Sequence, residues 1–510
     1  MLARLRSAAI RGIDAYLVEV EVNLANGLPN ISIVGLPQGA VKEGRERVAA
    51  ALVNAGFEFP LRRITVNLAP ADVVKAGSAF DLATALGILC ASGQLPAAGL
   101  QGVVFLGELG LEGSLRPVRG ALSMALAARA AGAAGIVLPA SNVAEAAVVE
   151  GLEVLGAESL AQVTKHLAGV SPIPRAAVHM VVVPAFAGDT ADFADVRGQR
   201  AAKRALEVAA AGGHNALLIG PPGAGKTMLA RRLPSILPSM TMDEALEVTK
   251  IHSVSGLLPP GAALVAARPF RAPHHTISDA GLVGGGSSPR PGEVSLAHGG
   301  VLFLDELPEF HRHVLEVLRQ PLEDGIVALS RAAARFTFPA RFTLVAAMNP
   351  CPCGHLGDAA RPCQCGVPLV ERYLSRISGP LLDRIDIHLR VPAVPYLELA
   401  TEGAAESSEV IRVRVEAARA LQRCRFEGRP GLHANAHMSS RDVRRYCRQT
   451  PEIGVVLQAA VERLGLSARG CHRVLKLART IADLAAMEEL TPSHVREAIQ
   501  YRALDRRGLG

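Results

Sequence analysis

Residues 15 to 36, AYLVEVEVNLANGLPNISIVGL, alternate apolar and polar positions on both sides of a Gly/Pro turn, which predicts two strands. The spacing then changes to a helical one in QGAVKEGRERVAAALVNAG, so the chain opens as mixed α/β. The proline-dotted stretch SPIPRAAVHMVVVPAFAGDTADFADV predicts a linker, placed at residues 176–194. Beyond it the apolar runs ALLIG, VLFLDE and FTLVAAMNP alternate with helical segments, the pattern of a sheet covered by helices. VALSRAAARFTFPARFTLVA reads as a hairpin with Arg331 and Arg335 near its tip. After VPAVPYLEL the pattern is helical almost throughout. The expected organisation is therefore α/β: a domain over 1–175, the linker 176–194, an α/β core over 195–395 and an all-α domain over 396–510.

Composition narrows this. The 510 residues are 49% apolar, enough for several cores, and no segment is repetitive or of low complexity. The basic start MLARLRSAAIRG lacks a sustained apolar region and a cleavage site, and the most apolar window, ALSMALAARAAGAAGIVLPA, is interrupted by Arg129. No membrane association and a cytoplasmic location are expected, where eight cysteines serve as thiols or metal ligands rather than as disulfides. The net charge of +7 is unevenly spread. Residues 1–175 carry 14 basic and 14 acidic side chains, whereas residues 411–510 carry 19 basic against 10 acidic. A basic C-terminal part suits a polyanion such as nucleic acid, and equally a solvated basic helical surface.

GPPGAGKT fits G-x-x-x-x-G-K-[ST], follows the strand-like NALLI and opens the helical MLARRL. Gly220, Pro221, Pro222, Gly223, Ala224, Gly225, Lys226, Thr227 and Met228 are thus the expected ATP-binding set. Backbone N–H groups curl round the β-phosphate, Lys226 reaches the β/γ oxygens and Thr227 ligates Mg²⁺. In GGVLFLDE a strand delivers Asp305 and Glu306 to its C-terminal end, where ligands bind in open α/β sheets. Asp305 is the expected second holder of Mg²⁺ and Glu306 the candidate to polarise the attacking water. A third strand ends at Asn349, whose amide is placed to orient the same water. The residues point to ATP hydrolysis.

The order of these parts resembles AAA+ ATPases. The phrases RPFRAPHHTISDAGLVGGG, PRPGEVSLAHGGVLFLDELPEF, NPCPCG and SGPLLDRIDIHL are similar to the magnesium-chelatase-like AAA+ proteins of the ComM/YifB family, and the likeness covers nearly the whole chain. It implies an insertion in the second helix, for which the 79 positions from Lys226 to Asp305 leave room, with the Gly-rich GLVGGGSSPRPGE facing a ring pore. It implies that the all-α part is a lid, that Arg384 in LLDRID is the arginine finger reaching a neighbouring subunit's ATP, and that Arg469 or Arg473 is a lid sensor, Arg469 being preferred. A planar, permanently charged guanidinium suits phosphate oxygens, although an internal pair of Arg384 with Asp383 or Asp386 is the plain alternative. A finger supplied in trans implies a homo-oligomer, by analogy a hexamer. The hairpin carrying Arg331 and Arg335 would line the pore and grip DNA, or be an exposed basic turn.

The N-terminal phrases KAGSAFDLATALGILCASGQLP and FLGELGLEGSLRPVRGALSMALAARAAGAAGIVLPASN resemble the Lon-protease domain, an α+β fold, and more closely the Lon-like domain of the RadA recombination protein. Lon activates its serine with a lysine. Here the corresponding stretch, RGALSMALAA, has none, and Arg119 makes a poor base. Ser78 is therefore read as structural, with no peptidase activity expected.

Two Cys-x-Cys pairs, Cys351/Cys353 and Cys363/Cys365, follow Asn349 with nine residues between them. They can fold back into a tetrahedral Cys₄ site for structural Zn²⁺, with His355 as a substitute ligand, or remain thiols packed in a loop. The expected cofactors are thus ATP and Mg²⁺, with Zn²⁺ as the structural candidate. The resemblance implies a DNA motor, a branch-migration or helicase enzyme acting on single-stranded or branched DNA in the recombination of transforming DNA. A chelatase-like or protein-remodelling motor is the alternative.

Overall fold

The computed structural model describes every residue except 98, 177–181, 184–190, 287–288, 332–333, 359–360, 395–405, 430 and 503–510. Most of the expected linker 176–194 lies outside the described residues. The chain is mixed α/β with parallel strand pairs and a helical C-terminal part, and it divides into two compact units. Among the described residues no helix is long and apolar enough to cross a membrane.

The first unit comprises Met1–Pro184 together with Met242–Ala266. Its seven-stranded sheet runs in the order Asn30–Val34, Arg63–Ala69, Asp14–Ala25, Leu2–Arg11, Val103–Phe105, Gly135–Pro139, Glu153–Ala157. The first two long strands form a full antiparallel hairpin, Leu2 opposite Asn23 to Arg11 opposite Asp14. Helix Asp81–Ala91 is apolar nearly all round and buried at every position except Cys90, as expected of a helix enclosed on all sides. Gly87 lets it lie on the sheet, since a Cβ there would meet Val22 Cγ2 at 2.5 Å. Ser78 Oγ donates to the Glu108 carboxylate.

The segment Met242–Ala266 comes from inside the stretch expected to be a continuous ATPase core. It belongs to the first unit because its bonds lie there. The Ser253 hydroxyl donates to Glu145 at 2.5 Å, the Gly120 N–H to Ser253 O at 3.3 Å, and Lys250 pairs with Asp14. Buried Glu145 also accepts from Asn142 Nδ2 at 2.7 Å and the Leu122 N–H at 3.3 Å, so its carboxylate is well satisfied.

The second unit comprises Ala185–Thr241 and Ala267–Gly510. Its five-stranded sheet is all parallel, in the order Phe270–Arg271, Val301–Leu304, Thr343–Met348, Ala216–Ile219, Ile387–Arg390. The three central strands are buried throughout, which explains their unbroken apolar runs. Helices Ser408–Arg425, Ser440–Tyr446, Pro451–Leu464, Ala468–Leu484 and Pro492–Gln500 form the C-terminal part. One apolar cluster joins Leu218 and Val345 of the sheet to Val474 and Ile481 of helix Ala468–Leu484.

Candidate ATPase site and its neighbouring clefts

The C-terminal ends of three parallel strands gather the nucleotide residues. Strand Ala216–Ile219 feeds the loop from Gly220 to Gly225, and helix Lys226–Ile236 begins at once behind it. Gly223 and Gly225 sit at φ 77° and 85°, the left-handed conformation a side chain resists. A Cβ at Gly220 would meet Val391 O at 2.0 Å, so this glycine lets the chain after strand Ile387–Arg390 approach. Pro222 and Gly223 are exposed on the loop, Ala224 is buried beneath it, and Met228 is partly exposed on the helix. Lys226 Nζ donates to Gly220 O at 2.7 Å, Pro221 O at 2.9 Å and Asn349 Oδ1 at 3.1 Å. Burial lowers its pKa, with the charge of Asp305 acting against the shift.

Thr227 Oγ1 donates to Asp305 Oδ2 at 2.7 Å. A hydroxyl and a carboxylate so placed are hard oxygen ligands on one side of the loop and fit Mg²⁺ with its phosphate and water partners. The Glu306 N–H donates to Asp305 Oδ1 at 3.0 Å. Glu306 itself holds φ 53°, a left-handed conformation uncommon outside glycine, and its side chain is 59% exposed. His275 Nδ1 lies 3.5 Å from Glu306 Oε2, and the His275 ring meets Phe310 edge-on. Sequence reasoning missed His275, although it stands in the phrase RPFRAPHHTISD that carries the family likeness. Tyr373 was also missed. Burial pushes its pKa up to about 12.

Arg384, Arg469 and Arg473 line a separate cleft with Arg341, Glu323 and Lys476, and no residue of the phosphate loop lines it. Arg384 pairs with Glu323 and donates to Pro380 O at 2.7 Å, so its partner is neither Asp383 nor Asp386, while its buried Nε has no acceptor. Glu323 is held below the usual carboxylate range by the Arg384 hydrogen bond first, then by the charges of Arg384, Arg469 and Arg473. Arg473 donates to Asp386 Oδ1 at 2.6 Å, and His214 Nδ1 lies 3.1 Å from the other oxygen. Burial alone would raise Asp386, but Arg473 and His214 hold it well below its ordinary value. Arg469 is exposed in the first turn of helix Ala468–Leu484.

The cysteine Sγ atoms lie 3.4 Å (Cys351–Cys353), 3.7 Å (Cys351–Cys363) and 3.6 Å (Cys353–Cys363) apart, and all four fall within 4.8 Å of one another. A tetrahedron of thiolates at the Zn–S distance has edges of ~3.8 Å, whereas a disulfide needs ~2.05 Å. The cluster thus has the donor chemistry and the size for Zn²⁺. The four-thiol group does not include His355, whose Nδ1 lies 3.2 Å from Asp358. Hairpin Ile326–Arg331/Ala334–Pro339 carries Arg335, exposed near the tip, while the side chain of Arg331 lies outside the described residues. In the inserted stretch, Gly284–Gly285 pairs with Arg290–Pro291.

Three family models match the chain: magnesium chelatase subunit ChlI over residues 192–399, subunit ChlI of Mg-chelatase over 20–142, and the ChlI C-terminal model over 405–502. The chain is 46% identical to the competence protein ComM of Haemophilus influenzae over 509 residues, covering 99% of this chain and 98% of that one. It is 45% identical to YifB of Escherichia coli over 511 residues, with the same coverage. It is 32% identical to Lon protease 2 of Bacillus subtilis over 158 residues, 28% of this chain and 26% of that one.

Proposed function

The chain belongs to the ComM/YifB family of magnesium-chelatase-like proteins, and we propose that it is an ATP-hydrolysing, ring-forming motor that moves branched or single-stranded DNA during recombination of incoming DNA. The observation that carries this reading is the convergence of Lys226, Thr227, Asp305 and Asn349 at hydrogen-bond distance. Phosphoryl transfer is catalysed mainly by such positioning and charge stabilisation. Lys226 and the loop N–H groups would hold the phosphates, and Thr227 and Asp305 would hold Mg²⁺, which when bound would supply positive charge at the γ-phosphate. Glu306 polarises the water and Asn349 orients it.

The ring is supported by the arginines. Arg384 and Arg469 lie in a cleft without phosphate-loop residues, so a second copy is needed to bring them to a γ-phosphate, and a hexamer is the proposed assembly. Arg473 is already engaged by Asp386, which favours Arg469 as the lid arginine that meets nucleotide. The proposed domains are a non-proteolytic Lon-like part over 1–175, a linker over 176–194, the AAA+ core over 195–395 and the lid over 396–510, the core lending Met242–Ala266 to the first unit. Arg335 and Arg331 are the proposed DNA contacts, Zn²⁺ sits on the four cysteines, and the protein works in the cytoplasm.

The relative named a competence protein supports the DNA role. The magnesium-chelatase models support a second reading, a metal-insertion or protein-remodelling motor. A labelled four-way junction separates the two: ATP-dependent conversion to duplex products, absent with Lys226→Ala, supports the DNA motor, and no conversion at any ATP concentration contradicts it.

A further inference from the structure

The cysteine cluster is built into the ATP site. Cys351 is buried two residues after Asn349. Gly354, at φ 84°, lies so close to the phosphate loop that a Cβ would meet Pro222 Cδ at 2.5 Å and Cγ at 2.8 Å, with Asn349 Cγ at 3.9 Å. The chain leaves the last sheet residue Met348, passes through Cys351 and Cys353, returns at Cys363 and Cys365, and enters helix Val367–Leu374. The excursion thus begins two residues after Asn349, which accepts from Lys226, and its Gly354 packs on the phosphate loop at Pro222 while its four thiols gather into one group. Thiols in van der Waals contact, with weak S–H donors, hold such a loop poorly, whereas a tetrathiolate metal fixes four points of it at once.

Building on the motor reading and its Zn²⁺ site, we propose that metal on Cys351, Cys353, Cys363 and Cys365 switches the ATPase on, by bracing Asn349 and Gly354 against the phosphate loop at Pro222. The cysteines act as positioning residues for the water-orienting amide. Without metal, Asn349 loses its fixed distance to Lys226 and the attacking water loses its orientation, while the sheet and the remaining nucleotide contacts persist. Sites held by second-tier supports of this kind typically lose activity by ~10–100-fold when the support goes.

The test uses the full chain purified without chelator. Elemental analysis should give about one Zn²⁺ per chain, as a four-ligand structural site requires. A zinc-selective chelator then strips the metal under reducing conditions, with Mg²⁺ kept in excess, and Zn²⁺ or Co²⁺ is added back. The expected result is a fall in turnover of ~10-fold or more on stripping, recovery on re-addition, a thiolate-to-cobalt absorption band and a preserved far-UV spectrum. His355→Ala should keep its metal and its rate, and Cys363→Ser should lose both. Reversible stripping of the wild-type chain keeps the idea testable if that variant fails to fold. A stripped, folded protein turning over at the full rate overturns the switch while leaving the metal site standing. Protein that neither holds metal nor slows with Cys363→Ser overturns both. If the metal-loaded protein hydrolyses no ATP, the motor reading fails on its own, and the brace is judged by affinity for a fluorescent nucleotide: weaker binding after stripping supports it, and unchanged binding overturns it.

Discussion

Lys226 and Asn349, 123 positions apart in the chain, meet at 3.1 Å, Nζ to Oδ1, because parallel strands Ala216–Ile219 and Thr343–Met348 end side by side. The side-chain amide is held on the phosphate-loop lysine, where the γ-phosphate is expected. Asn349→Ala should therefore lower kcat for ATP by ~10–100-fold with little change in KM, since the amide acts on the attacking water rather than on bound nucleotide. Equal losses in nucleotide binding and turnover would make Asn349 a binding residue instead.

His275 Nδ1 lies 3.5 Å from the carboxylate of Glu306, a side chain that is 59% exposed, and it is the neighbour placed to restrain it. Removing the imidazole lets the carboxylate sample unproductive orientations. His275→Ala should cut kcat by roughly 3–10-fold at unchanged KM, and His275→Asn, which keeps a nitrogen near the Nδ1 position, should restore most of it. Steady-state ATPase of the two variants beside Glu306→Gln decides this, and an alanine variant as fast as wild type removes His275 from the mechanism.

Arg384 and Lys226 serve different copies if the ring account holds. Lys226→Ala and Arg384→Ala should each be inactive alone. Mixed one to one and allowed to exchange subunits, about a quarter of random interfaces carry both intact residues, so turnover should return to about a quarter of wild type. Mixtures that stay inactive after demonstrated exchange contradict a shared site.

Asp81 pairs with Arg47 at 2.8 Å, yet burial pushes its carboxyl up to about 6 from 3.8, the Arg47 and Leu109 hydrogen bonds offsetting only part of the cost. The folded state therefore binds this proton more tightly than the unfolded one. That contribution to stability is fully present below about pH 4 and is lost as pH rises through about 6, a change of about 3 kcal/mol. Chemical denaturation of wild type and Asp81→Asn between pH 4 and 7 isolates the slope, which should be shallower in the variant. Parallel profiles would assign Asp81 an ordinary pKa.

The first unit is incomplete without Met242–Ala266. A fragment of residues 1–184 leaves Glu145 without the Ser253 hydroxyl and exposes the faces those residues cover, and it should show no cooperative melt. The same fragment joined through a Gly/Ser linker to 242–266 should melt cooperatively. A well-folded short fragment would contradict the assignment.

What could be read in the chain beforehand was local. GPPGAGKT, VLFLDE and the strand before Asn349 each combine a motif with an apolar run, and the alternation in VALSRAAARFTFPA was enough for the hairpin. What escaped depends on pairings remote in sequence. Arg384 takes Glu323, 61 positions away, in preference to the aspartates beside it. Asp386 is instead engaged by Arg473 and by His214, 172 positions away. Nothing in the periodicity of Met242–Ser255 marks that helix as part of the first unit, because helical spacing specifies an apolar face and not the surface it covers. His275 escaped because a histidine after a two-residue strand carries no local signal of its partner.

The most direct measurement of the central claim is steady-state ATPase without DNA, with single-stranded DNA and with a branched junction, at low and high salt, using Lys226→Ala as the blank. A DNA motor predicts stimulation that is greatest on the junction and falls steeply as salt displaces phosphate contacts. Turnover that is robust but the same with and without DNA at low salt would contradict it and leave the chelatase-like reading in its place.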